Sequence, residues 1–385
     1  MISQENRSDS AKGYKKHIEK NIERILLKLS DRTDKWGSDF LIHINNAKRH
    51  SNLCRRKNGR IYAPLPIKRA YINEIWLSEL PPPAGVDTQQ LLNFVIDNDG
   101  SAFKKALKGM APSMETEVLE MWFVLMTNLY KAVDALFGSD FDEKPLSEEL
   151  VLYIHLKVAD KVMDNAGEYR EVEVAAAGSS VIYESPKKIR PRLNALIEVI
   201  NTHICKAVNL ESAAALGGFF LSEFLLIHPF RDGNGRTSRL LLSHLLRHWT
   251  VVPISLYLRS NREYYIKAMQ SRTTNLPLDV ITYVAQCIEE TVLLHYREQL
   301  DSVDDGSVPN DLDSMDDGSV PTDLDSVDDG RVPTDLNSAE PALLPRGERP
   351  PHDTSQGIVY SGNVHHMLLV VAFIGCMLLL TRFRK

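Results

Sequence analysis

Apolar residues recur at intervals of three and four along most of the first 300 positions. Within residues 18–30, "IEKNIERILLKLS" sets Ile22, Ile25, Leu26 and Leu29 on one face, which predicts an amphipathic helix. The same period runs from Glu117 to about Phe137 and from Ser147 to about Met163, where Ser147 followed by acids makes a helix start. It returns in "IRPRLNALIEVINTHI", "NLESAAALGGFFLSEFLLI", "GRTSRLLLSHLLRHW" and "PLDVITYVAQCIEETVLLHYREQL". Between Tyr169 and Tyr183 the period changes. Short valine-containing runs, "YREVEV" and "SSVIY", flank "AAAGS" and predict a β-hairpin set among helices. The segment "PLPIKRAYINEIWLSELPPP" is bracketed by prolines that stop regular structure on both sides. The pattern describes a mainly α fold with one hairpin.

After Leu300 the periodicity ends. "DSVDDGSVPNDL", "DSMDDGSVPTDL" and "DSVDDGRVPTDL" are three consecutive copies of a twelve-residue unit. They hold twelve aspartates against one arginine, a net −11, which leaves the rest of the chain at +5 of its total −6. The acidity therefore belongs to this segment and not to the globular part. No unit has the glutamate-terminated loop of a calcium-binding EF-hand, so proline, glycine and repulsion between aspartates predict an extended, disordered tether. The domain plan is an N-terminal region at 1–105, a globular domain at 106–300, an acidic repeat linker at 301–363 and a terminal segment at 364–385.

That terminal segment carries "MLLVVAFIGCMLLLT", Met367 to Thr381, uncharged and followed by "RFRK". Fifteen residues rise about 22 Å as a helix, short of a ~30 Å hydrocarbon core, but basic ends snorkel and thin bilayers tolerate short spans. At the end of a tether it has no domain to pack into, so a C-terminal membrane anchor is expected. The globular domain would then lie in the cytosol, at the mitochondrial outer membrane or the endoplasmic reticulum. A polar start without an apolar h-region predicts no secretory signal. Cys54, Cys205, Cys287 and Cys376 show no paired spacing, which suggests neither a disulfide framework nor a zinc site. The basic stretch Lys48 to Arg60 lacks interleaved aromatics and reads as solvated surface, with no nucleic acid expected as partner.

The chemistry concentrates in "HPFRDGNGRTSR", His228 to Arg239, between two apolar helical segments. A glycine-containing loop entering a helix presents unpaired N–H groups and the positive end of the helix dipole, which together favour an anion. Gly233 and Gly235 allow close approach of a phosphate, and Arg236 and Arg239 reach the same side. Asp232 offers the hard oxygen that Mg²⁺ prefers, and His228 can take a proton from an attacking hydroxyl.

The stretch matches throughout the signature HPFx[DE]GNGRxxR and so resembles the Fic-domain family. The similarity extends over a core of about 152–291. That resemblance implies a Fic-type helical bundle whose hairpin is a flap beside the site, and adenylylation: AMP passes from ATP to a Ser, Thr or Tyr hydroxyl of a target protein. It implies that His228 is the base, that Asp232 holds Mg²⁺, and that Gly233, Asn234 and Gly235 form the anion hole with Arg236. Arg239 would engage the γ phosphate. Tyr264 and Tyr265, in "NREYYIKAMQ", would lie against adenine, with Arg272 nearby as a departure that bears on nucleotide choice. Val174, Ala175 and Ala176 would contact the target, and a homodimer is compatible with the family. An inhibitory glutamate of the pattern [ST]xxxE[GN] is expected at Glu117, four after Ser113, although Val118 replaces the Gly or Asn; Thr116 and Glu120 repeat the spacing. Removal of AMP, transfer of another nucleotide or phosphate, and a membrane-tethered adaptor without catalysis are the alternatives.

Overall fold

The computed structural model describes residues 11–31, 33–51, 65–79, 85–137, 144–174, 183–257, 262–270 and 276–304. Among them are twelve helices and no strand. They belong to one compact unit.

Its centre is α9, Leu210–Ile227, whose sequence is apolar on every side and which is buried almost throughout. A helix of that composition must be covered all round. The cover comes from α8 (Pro186–Ile204), α10 (Asn234–Leu246), α12 (Leu278–Asp304) and α1 (Ala11–Ser30). Close approach of α9 and α12 depends on Gly218, where a Cβ would lie 2.8 Å from the Ile281 Cα. Among the described residues, α9 alone has the length and hydropathy to cross a membrane, yet its burial makes it a core helix.

The N-terminal helices are part of the same body. α2 (Lys35–Ser51) lies along α12, where the Trp36 indole N–H donates to the Leu278 carbonyl at 3.1 Å and the Thr282 hydroxyl at 2.9 Å. Glu289 of α12 accepts from Asn46 at 2.8 Å and meets His43 Nδ1 at 2.6 Å. Tyr14 of α1 donates its hydroxyl to Glu223, inside α9, at 2.8 Å. Three further helices, α3 (Leu65–Glu79), α4 (Thr88–Ile96) and α5 (Gly100–Met110), pack on α6 (Thr116–Leu136), and α6 on α7 (Glu148–Ala159). Residue 105 is thus not a boundary between compact bodies. The helix caps agree with their residue types: Asp87, Asp99, Ser147 and Asn209 each accept a first-turn amide.

The expected hairpin has a narrower foundation. The Tyr183 amide donates to the Val174 carbonyl at 3.3 Å, which brings the two limbs together at their base, but no strand occurs among the described residues there. Ala175, Ala176, Arg272, residues 305–363 and the segment 364–385 lie outside the described residues. Residues 301–304, expected in the linker, continue α12 instead, since a helix already formed propagates at little cost.

Candidate active site

α9 ends at His228, whose backbone is left-handed (φ 50°, ψ 61°) with its amide on the Phe224 carbonyl at 2.9 Å. This conformation is ordinarily glycine's, and in another residue costs about 1 kcal/mol or more. It is held from outside by Arg170, which donates from Nε to the His228 carbonyl at 2.7 Å. The His228 ring is fixed twice. Nδ1 lies 3.3 Å from the Leu225 carbonyl, and the ring stacks on Tyr183 at 3.7 Å and 8°. Because a carbonyl only accepts, Nδ1 carries the proton and Nε2 the lone pair. Burial, helped by the nearby Arg170 charge, pushes the His228 pKa down to about 4. At neutral pH the imidazole is therefore uncharged and able to accept a proton.

The loop that follows is stapled on itself. Asn234 accepts the Phe230 amide at 2.9 Å and donates back to the Phe230 carbonyl at 2.8 Å. Its buried side chain is thus committed to shaping the loop, and only its backbone amide is left for an anion. His155 of α7 braces the loop from beneath. It accepts the Gly167 amide on Nδ1 at 2.9 Å, so Nε2 is the donor to the Asp232 carbonyl at 3.1 Å, and its ring stacks on Phe230 at 3.6 Å and 3°. Gly233 then turns the chain into α10 at φ 76°, and no side chain caps that helix. First-turn amides have no intrahelical acceptor, so the start of α10 is open to an anion.

Charged groups ring this opening. Asp232 bonds its own loop at the Gly233 amide (2.6 Å) and meets Arg236 at 3.3 Å, but its carboxylate is 70% exposed. Arg239, only 1% exposed, lies at the floor. Its Nη1 donates to the Tyr257 hydroxyl at 2.8 Å, and the guanidinium sits over the rings of Tyr257 (4.5 Å) and Tyr265 (5.8 Å). A Cβ at Gly235 would lie 3.1 Å from that Nη1, so glycine there is what lets the guanidinium lie against the first turn of α10.

The structure brings His228, Asp232, Gly233, Gly235, Arg236 and Arg239 together, as the motif requires. It divides the tyrosine pair of α11 (Arg262–Gln270): Tyr265 is buried against Tyr257 and Tyr283, whereas Tyr264 is 59% exposed. Glu117 stands exposed in the first turn of α6, and Glu120 pairs with Lys104 at 3.2 Å. Among the described residues the Arg239 guanidinium lies over Tyr257 and Tyr265, and no ion pair joins it to either carboxylate. Arg170, His155, Tyr183 and Tyr257 are site residues that the sequence reading did not single out.

Residues 145–246 match the Fic/DOC family model. That segment is similar to Fic/DOC proteins. The matched segment holds His155, Arg170 and the whole motif, and ends before Tyr257 and α11. Over 143 residues the chain is 28% identical to the protein adenylyltransferase Fic of Nematostella vectensis, covering 37% of this chain and 32% of that one. Over 161 residues it is 27% identical to the protein adenylyltransferase fic-1 of Caenorhabditis elegans, covering 41% and 30%. The chain therefore spans about a third of the length of these curated relatives. Among solved structures, a Fic family protein from Desulfovibrio desulfuricans is similar with a TM-score of 0.48 and 18% identity, covering 71% of this chain and 76% of that one.

Proposed function

We propose that this chain transfers AMP from ATP to a Ser, Thr or Tyr hydroxyl of a target protein. The observation that carries the reading is the junction of α9 and α10. An uncharged imidazole with a free Nε2 lone pair stands beside an uncapped helix N-terminus that has a buried guanidinium at its floor. The reaction needs those parts and few others. Nε2 takes the proton of the target hydroxyl as its oxygen bonds to the α phosphorus, and the bond from that phosphorus to the bridging oxygen breaks, releasing pyrophosphate. First-turn amides and Arg239 offset the phosphate charge. The names of the relatives support this direction of chemistry.

Mg²⁺ fits the donor set. The ion takes one or two carboxylates and completes its shell with phosphate oxygens and water, and Asp232 offers one open carboxylate at the mouth of the helix terminus. When bound it would neutralise charge on the nucleotide phosphates. The exposed Tyr264 and buried Tyr265 are compatible with a base lying against one ring while the other is part of the wall.

The test is incubation of the full chain in cell lysate with Mg²⁺ and ATP carrying ³²P at either the α or the γ position. Protein label from the α position alone is expected. Label from the γ position would make the reaction phosphate transfer, and no label from either would leave a tethered adaptor. Membrane attachment through Met367 to Thr381 belongs to the same proposal, supported by the uncharged run and its basic end. The full chain should sediment with membranes and a chain ending at Gly357 should not.

A further inference from the structure

Arg170 is 2% exposed, and a buried guanidinium is costly unless its donors are all engaged. The carboxylate of Glu184 is paired with Arg192, and what Arg170 holds is carbonyl oxygens. Nη1 donates to Val172 at 2.7 Å, Nε to His228 at 2.7 Å, and Nη2 to Ile227 at 3.3 Å and to Glu184. Its backbone amide adds a bond to Pro229 at 3.0 Å. Two of the four side-chain acceptors belong to the two limbs that meet at Val174 and Tyr183, and two to the end of α9. A second observation joins the same two regions, because Tyr183, next to Glu184, lies face to face on the His228 ring.

We infer that Arg170 is a positioning residue that couples the limbs of the flap to the base, so that the place of the flap and the aim of His228 Nε2 are set by one bracket. Resting on the adenylyl-transfer reading, this names the part of the chain that registers a docked hydroxyl to the base. The planar fork suits the task because it holds divergent acceptors in fixed directions, which a lysine ammonium cannot. The anion site at the start of α10 does not depend on the bracket, so nucleotide binding and base alignment become separable.

The full chain with labelled histidine rings reports on this directly, since a ring stacked on Tyr183 has its His228 ring-proton resonance shifted upfield. Tyr183→Leu gives the unstacked reference. In Arg170→Met the resonance should move to that reference and self-modification with MgATP should fall about 10- to 100-fold, the scale of a misplaced reacting group. MgATP affinity should stay within about 3-fold, as for loss of an interaction outside ground-state binding. Arg170→Lys should recover part of both the resonance shift and the rate. If Arg170→Met does not fold, Arg170→Lys carries the reading, with a partial shift and a partial loss of rate expected. An unchanged resonance and rate in either folded variant overturns the inference. So does an equal loss of rate and MgATP affinity with no rescue by lysine, which describes a residue needed only for folding. If the wild type modifies neither itself nor lysate protein, the adenylyl-transfer reading fails, while the resonance still decides whether Arg170 couples flap and base.

Discussion

His228 combines an unfavourable backbone with a favourable charge state, and both follow from its place at the end of a buried helix. Replacing it by alanine would remove the proposed base and leave the start of α10 untouched. His228→Ala should lower transfer by at least ~10²-fold, the scale of a lost general base, with MgATP affinity retained in a binding titration. The depressed pKa also makes a statement about pH. A base must be unprotonated, so kcat/KM should hold well below the usual histidine range and fall only as pH drops through about 4; an acid limb near 6.5 would contradict the burial of this ring. The motif residues were legible because they are contiguous: twelve positions carry base, carboxylate, glycines and guanidinium. His155 and Arg170 were not, since their work is done across 77 and 58 positions of sequence, and a lone histidine on an apolar helix reads as core.

Helices were legible wherever one face is apolar, and α6 and α8 follow the period closely because burial on one side dictates it. In α9, apolar on every side, the unbroken apolar run and not a one-sided period was the signal, and neither could give how closely two helices meet. Gly218 sets that distance for α9 and α12, where the obstacle is backbone and cannot swing aside. Gly218→Ala should destabilise the fold by about 1–3 kcal/mol in chemical denaturation, an overpacking cost. The inhibitory role expected of the start of α6 is a matter for experiment. Its glutamates are exposed and Arg239 is enclosed by Tyr257 and Tyr265, so Glu117→Gly should leave self-modification within about twofold, as surface substitutions usually do. The change of period between Tyr169 and Tyr183, read as a hairpin, has the Val174–Tyr183 backbone bond as its counterpart among the described residues.

Over the whole molecule, buried titratable groups set a pH of greatest stability. His155 and His228 have pKa values pushed down to about 4 and His244 to about 3, all by burial. Their stabilising contribution is complete above about 6.5 and is lost as pH falls toward about 4, because the unfolded chain then binds protons that the folded one refuses. Glu74, buried in α3 and raised to about 8 by desolvation and by Glu290, acts with the opposite sign: it keeps a proton that the unfolded chain releases above about 4.5. Three histidines outweigh one glutamate below 6.5; between about 6.5 and 8 the glutamate sets the slope, and above about 9 Cys287 and Tyr169, both raised by burial, act in the same direction. Thermal melting should therefore peak near pH 6.5, and Glu74→Gln should remove the decline between about 6.5 and 8 while leaving the acid one. The N-terminal helices matter at this scale too, and their order in the chain has a consequence for synthesis. α9 is greasy enough to be mistaken for a membrane segment as it leaves the ribosome. Tyr14, the residue that receives its one buried acid, has by then been outside for some two hundred residues. The chain thus makes α1 and α8, two of the four helices that cover α9, before α9 itself, and α10 and α12 after it.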